Sequence, residues 1–241
     1  MKIIQSFLTE NDCYKANKKI KVQGLMLHSV GCPQPSANVF IKRWNKSGIQ
    51  KCVHAFIEAN GDVYQTLPWD HRGWHAGGNA NNTHIGVEMC EPSTIKYTSS
   101  FGWTDLNPEK TKEHVMSTYK TAVELFAMLC KEFRLNPLAD GVIISHSEGY
   151  KRGVASGHAD VEHIWSKYGL TMNQFRQDVK KKMDENMKPQ KSWQQNMGEQ
   201  AIDSLAKKSI INNPEDWKAK DLLNEPTPLW LTFVLLDRLT K

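Results

Sequence analysis

Two histidines each close a short apolar run: His28 ends "VQGLMLH" and His146 ends "GVIISH". Downstream, "SGHADVEH" places His158, Asp160 and His163 within a few positions of one another. Imidazoles at strand ends together with a carboxylate form the donor set of an open catalytic zinc site, in which three protein ligands leave a fourth position for water. That set points to metal-assisted hydrolysis. One histidine ending an apolar run is more often a hydrogen-bonded core residue, and so long a separation says less than a local "HExxH". Within "GHADVEH", His158, Asp160 and His163 are all chemically competent third ligands.

Residues 22–28 read as a short buried strand, and "SANVFIKRWN" after Pro35 has a Ser36 cap and helical spacing of Val39, Phe40, Arg43 and Trp44. "VHAFIEANGDVYQTL" reads as a hairpin whose Asn60-Gly61 pair predicts a two-residue turn with positive φ at both central positions. Residues 84–89, "HIGVEM", predict another strand, with a loop across the Gly/Asn-rich stretch from Gly77 to Asn82. From 109 to 134, Val115, Tyr119, Val123, Phe126, Leu129, Cys130 and Phe133 recur at three- and four-residue steps behind Asn107-Pro108, which predicts a long core helix. A strand over 141–145 and short helices at 161–168 and 172–185 complete the pattern. Strands mixed with helices predict an α/β domain with a mixed central β-sheet flanked by helices.

The chain has 241 residues, enough for one domain with a sizeable core and a smaller appended module. Its 31 Lys and Arg against 26 Asp and Glu give a net charge of +5, which suits an anionic cell wall and falls short of a nucleic-acid footprint. Five cysteines (Cys13, Cys32, Cys52, Cys90 and Cys130) lack a zinc-ribbon spacing and are expected as reduced, buried thiols. No signal-peptide h-region and no membrane span are visible, so the expectation is a protein made in the cytoplasm. After Glu185, "NMKPQKSWQQNMGEQ" has a linker's composition. The expected organisation is a catalytic domain over 1–186, a linker over 187–199 and a small helical module over 200–241.

The motifs "LMLHSVG", "VHAFIEANGDVYQTLP", "WHAGG", "NNTHIGVEMCEP" and "ISHSEGYKRGVASGHADVEHIW" together resemble, in order and spacing, the type 2 N-acetylmuramoyl-L-alanine amidases. Peptidoglycan recognition proteins and small phage amidase lysozymes share that fold. The resemblance covers roughly residues 20–170. It implies zinc (Zn2+) held by His28, His146 and Asp160, with Glu88 as the general acid and base. In the place of His158 many members carry a lysine that stabilises the developing oxyanion. An imidazolium could do the same work, but histidine titrates near pH 6.5 and lysine near 10, so activity is expected to fall earlier on the alkaline side. His54 is a candidate for substrate or intermediate contact, and Trp74 and His75 for lining the cleft. His71, His84 and His114 read as ordinary structural or surface residues.

The implied reaction is cleavage of the amide between N-acetylmuramic acid and L-alanine, with peptidoglycan as partner. The resemblance and the tail together suggest an endolysin of a phage or prophage of a Gram-positive host, reaching the wall through a membrane pore. A host autolysin, a muropeptide-recycling amidase and a non-catalytic recognition protein are the alternatives. In the tail, Ile202, Leu205 and Ala206 share a helical face, a second helix is expected after Pro226 and Pro228, and Trp217 and Trp230 could stack on sugars. Wall binding and self-association are both compatible with that module.

Overall fold

A computed structural model describes residues 1–99, 102–185 and 193–219. The chain forms two compact units, Met1–Met187 and Lys188–Lys241. The first is built on a six-stranded sheet of β1 (Lys2–Gln5), β2 (Gly24–Ser29), β3 (Ala55–Ile57), β4 (Asp62–Gln65), β5 (His84–Met89) and, beyond an outlying hairpin of β6 (Ile95–Tyr97) and β7 (Trp103–Asp105), β8 (Ile143–Ser145). The strand order is β1-β4-β3-β5-β2-β8, and only the β3/β4 pair is antiparallel. Helices α1 (Asp12–Ala16), α2 (Ala37–Trp44), α3 (Pro108–Glu132), α4 (His146–Lys151), α5 (Glu162–Trp165) and α6 (Met172–Glu185) surround it. The expected mixed sheet with flanking helices is what forms.

Side chains alternate across a strand, so each strand divides its residues between two faces. Leu25 and Leu27 of β2, Ile85, Val87 and Met89 of β5, and Ala55 and Ile57 of β3 join one cluster with the buried face of α3 and with Phe175 and Val179 of α6. The intervening residues, His28 of β2 and Glu88 of β5, therefore fall on the other face. The two strands are parallel and in register with His28 opposite Glu88, so two polar side chains sit side by side where the sheet carries no long helix. Asn107 caps α3 by accepting from the Lys110 N–H, and Pro108 occupies its first turn, as the sequence predicts.

The hairpin differs from its expected form. The Glu58 carbonyl accepts from the Gly61 N–H at 3.1 Å, the Glu58 N–H donates to the Asp62 carbonyl at 3.0 Å, and Gly61 has φ of 88°. Asn60 has no positive φ. This is a three-residue loop, a turn over Ala59-Asn60 closed by a left-handed glycine, and not a two-residue turn with both centres left-handed. The Asn60 side chain instead accepts from the Asp62 N–H at 2.9 Å.

All five cysteines are free, and four are buried. In the second unit, α7 (Trp193–Lys207) starts inside the stretch read from composition as a linker, and α8 (Pro214–Ala219) follows it. Ile202 and Ile211 are buried there, and the Trp217 indole N–H donates to the Asn212 carbonyl at 3.2 Å. The helix expected after Pro228, with Trp230, lies outside the described residues. No helix among the described residues is long and apolar enough to cross a membrane.

Candidate metal centre

His28 arrives on β2 and His146 at the first position of α4, immediately after β8 and beside β2. Ser145 caps α4 by accepting from the Glu148 N–H, and Glu148 accepts in return from the Ser145 N–H, so the turn that presents His146 is pinned twice. Asp160 comes from the loop before α5, and its carbonyl accepts from the Ser147 N–H at 3.0 Å. All three side chains are buried, and their ligand atoms lie within 4.8 Å of one another. The His28 and His146 Nδ1 atoms are 3.0 Å apart, and Asp160 Oδ2 is 3.2 Å from the first and 3.7 Å from the second.

Those edges fit a metal. Zinc at about 2.0–2.1 Å from nitrogen and oxygen donors in a tetrahedron needs donor separations of about 3.3–3.4 Å. Burial opposes ionisation of Asp160, but its close contacts with His28 and His146 outweigh it and hold the carboxyl below its ordinary range. His146 is shifted down to about 4 by burial first and then by His28, so it stands neutral with a lone pair to give.

The far nitrogen of His28 is fixed by a short relay. His28 Nε2 lies 2.9 Å from His75 Nδ1, and His75 Nε2 lies 3.1 Å from the His84 carbonyl. A carbonyl only accepts, so His75 carries its proton on Nε2, its Nδ1 accepts from the His28 Nε2–H, and His28 Nδ1 is left bare toward the cluster. Burial, then the neighbouring His28 and His54, keep His75 neutral. The His75 ring is seated against Gly86 of β5, where a Cβ would lie 2.3 Å from its Cγ. Asn81 fixes the approach, its Oδ1 accepting from the His75 and Ala76 N–H groups at 2.8 Å each.

Glu88 is half-buried, and its Oε2 is enclosed without a hydrogen-bond partner. Burial, then the charges of Asp160 and Glu91, push its carboxyl well above the ordinary range. An acceptor left unpaired in a protein interior is costly and marks a place where function sets the residue. His158 is exposed and lies against His146, the rings tilted by 51° with centroids 4.4 Å apart. Its Nδ1 lies 3.2 Å from His146 Nε2 and 3.1 Å from the Ser156 hydroxyl.

Two expectations change. His54 is wholly buried, donating from Nε2 to the His71 carbonyl at 2.8 Å and accepting at Nδ1 from the Gly86 N–H at 3.0 Å. Both nitrogens are spent on backbone and burial lowers its pKa to about 4, so it braces the strand and has no free atom for substrate. His75 backs His28 and does not merely line a cleft. His163 lies apart from the converging donors, its Nε2 2.6 Å from the Tyr97 hydroxyl, which donates to Glu91 at 2.8 Å. Trp74 is 42% exposed, with the Arg72 guanidinium 5.0 Å from its ring centroid.

Sequence reasoning missed Asn81, Ser156, Glu91 and Tyr97. Only Asn81 had a signal, its place in the Gly/Asn-rich loop. Glu91, raised to about 7 by burial against the opposing hydrogen bonds of Tyr97 and the Gly31 N–H, follows two residues beyond β5.

Residues 18–163 match the N-acetylmuramoyl-L-alanine amidase family. No curated protein sequence matches the chain. Among solved structures, it is similar to the Staphylococcus aureus hydrolase AmiA in complex with its ligand, at 17% identity and a TM-score of 0.59, covering 78% of this chain and 85% of that one. It is also similar to a mutant endolysin from Bacillus subtilis, at 18% identity and a TM-score of 0.52, covering 74% of this chain and 99% of that one. The PlyG catalytic domain aligns at 13% identity and a TM-score of 0.54, over 76% of this chain and 96% of that domain.

Proposed function

The chain belongs to the N-acetylmuramoyl-L-alanine amidase family, and from that premise we propose that it hydrolyses the lactyl–L-alanine amide of peptidoglycan with zinc held by His28, His146 and Asp160. The observation that carries this reading is the register of β2 and β5, which sets the unpartnered Glu88 carboxyl beside the converging donors. Zinc in such a site supplies an acidified water, with pKa near 7, and polarises the scissile carbonyl.

The residues of the chain do the rest. Glu88, whose burial raises its proton affinity, takes as the carboxylate the proton of the attacking water and passes it to the departing nitrogen. A C–O bond forms as the C–N bond breaks, leaving a lactyl carboxylate on the sugar and a free α-amine on L-alanine. His158 has its Nδ1 engaged by Ser156 and His146, which leaves Nε2 to donate to the carbonyl oxygen as charge develops there. Trp74 offers an exposed apolar face to the sugar or peptide. The fold shared with AmiA and the Bacillus subtilis endolysin supports a wall-lysing role, and we read residues 200–241 as a module that retains the enzyme on the wall.

Purified peptidoglycan treated with the full chain should release free N-terminal alanine. Chelator should stop the release, and one equivalent of zinc should restore it. Zinc-free protein that binds wall without releasing alanine would overturn the reading in favour of a recognition protein.

A further inference from the structure

Glu91, Tyr97 and His163 take no part in the steps above, yet they form a continuous hydrogen-bonded chain. Glu91 is 2% exposed, and its two oxygens accept from different segments, Oε1 from the Gly31 N–H at 3.0 Å and Oε2 from the Tyr97 hydroxyl at 2.8 Å. The same hydroxyl lies 2.6 Å from His163 Nε2. It donates to Glu91, so it accepts from His163, whose proton then sits on Nε2. His163 Nδ1 is enclosed without a hydrogen-bond partner, a position that suits a bare lone pair better than an N–H.

The segments joined in this way are those that carry the reacting groups. Gly31 follows His28 by three residues at the exit of β2, Glu91 follows Glu88 by three at the exit of β5, and His163 follows Asp160 by three in α5. Tyr97 comes from outside the central sheet, on β6, where it pairs with Trp103 of β7. The Trp103 indole N–H donates to the His163 carbonyl at 3.0 Å. Trp103 thus anchors the backbone of α5 to the hairpin, and the Tyr97 hydroxyl extends that anchor to the ends of β2 and β5.

An apolar trio could fill the same space without burying a carboxyl. What the hydrogen bonds add is direction, because they fix distance and angle together. We propose that Tyr97 is a positioning residue of the hydrolysis: its hydroxyl clamps the ends of β2 and β5 to the segment bearing Asp160, and so sets the spacing of His28, Glu88 and Asp160. That role rests on the amidase reading, in which those three groups must be held in line. It gives the β6–β7 hairpin, which carries none of them, a part in turnover.

The test compares Y97F with Y168F in the full zinc-loaded chain. Both tyrosines are half-buried, but the Tyr168 hydroxyl donates to Asp105 of β7, at 3.1 Å, and not to Glu91. Each variant loses one hydroxyl and should lower Tm by about 2–6 °C. Y97F should also cut kcat by about 10–100-fold with KM within about twofold, and weaken zinc about tenfold in a chelator competition. Y168F should leave all three within about threefold. H163Q, whose amide N–H can stand where the Nε2–H stands, should retain about tenfold more turnover than H163L, which has no donor. An independent readout is nitrogen NMR of the imidazoles in the zinc-free chain, where His163 should show the Nε2–H tautomer. Equal kcat losses in Y97F and Y168F, equal turnover in H163Q and H163L, or an Nδ1–H tautomer in the parent would overturn the clamp, while alanine release by the parent upholds the amidase reading. A parent that releases no alanine overturns the amidase reading, and the clamp then stands or falls on the zinc affinities and the tautomer.

Discussion

The two imidazoles of the centre offer the same atom to the same point but are backed in opposite ways. Behind His28 stands His75, then a backbone carbonyl, with Gly86 shaping the seat and Asn81 holding the loop. Behind His146 stand the Ser156 hydroxyl at 3.3 Å and the exposed His158 ring. A backbone carbonyl dictates every proton along the first relay; on the second, the Ser156 hydroxyl donates to the Ala76 carbonyl at 3.2 Å and so accepts from the imidazoles, but the exposed His158 ring, which can donate or accept, meets the same His146 nitrogen. His28 is thus backed from within the sheet's face, whereas His146, pinned by its helix cap, has an exposed imidazole against its far nitrogen.

Removing the donors themselves should erase the difference. His28→Ala, His146→Ala and Asp160→Ala are each expected to abolish tight zinc binding and to cut alanine release to background, measured by metal content after dialysis and by amine assay. Glu88→Gln should keep the metal and lose about 10²–10⁴ in kcat. The backing residues should then separate the two sides. His75→Ala is expected to weaken zinc affinity by about 10–100-fold, the usual cost of losing a partner behind a metal-bound imidazole. Ser156→Ala should stay within a few-fold, because His158 remains against the same nitrogen. Equal losses in a competition titration with a chromogenic chelator would break the distinction. Gly86→Ala should follow His75→Ala in affinity and also cost about 1–3 kcal/mol of stability in urea, since the new methyl falls inside the imidazole's place.

How much of this was legible beforehand follows from which interactions are local. The short apolar runs of β2 and β5, the capped 3.6-residue pattern of α3 and the strand-end positions of His28 and His146 are written in neighbouring residues, and each lies close to its expected bounds. Strand β1 was missed because "KIIQ" is a short, largely exposed edge segment whose pairing with β4 is set by a distant hairpin. The hairpin was read with the wrong turn because Asn-Gly suits both loop lengths, and the choice is made by the register of the flanking strands. His54 and His75 were interchangeable by type. Only the fold shows that one spends both nitrogens on backbone while the other reaches His28. Among His158, Asp160 and His163 the sequence offers no choice by type; the fold brings the Asp160 carboxylate together with His28 and His146, while His163 Nε2 meets the Tyr97 hydroxyl.

The smallest expected effect concerns the face shared by both imidazoles. In the zinc-free chain, burial and the charges of Asp160 and Glu91 raise the Glu88 carboxyl well above its unfolded value. A carboxyl raised on folding binds its proton more tightly in the native state, so its contribution to stability is complete below about pH 4 and is lost as pH rises through the folded value. Glu88→Gln removes that loss without changing the side chain's size. The zinc-free variant should therefore match the parent near pH 4 and melt higher at pH 8, by roughly 2–4 °C for each 1 kcal/mol relieved. Zinc should reverse the order, because a cation beside Glu88 favours the ionised carboxylate that glutamine cannot supply. A Tm difference that does not change with pH, or that zinc leaves unchanged, would show that Glu88 does not feel the three donors, and that the enclosure on the β2–β5 face is structural only.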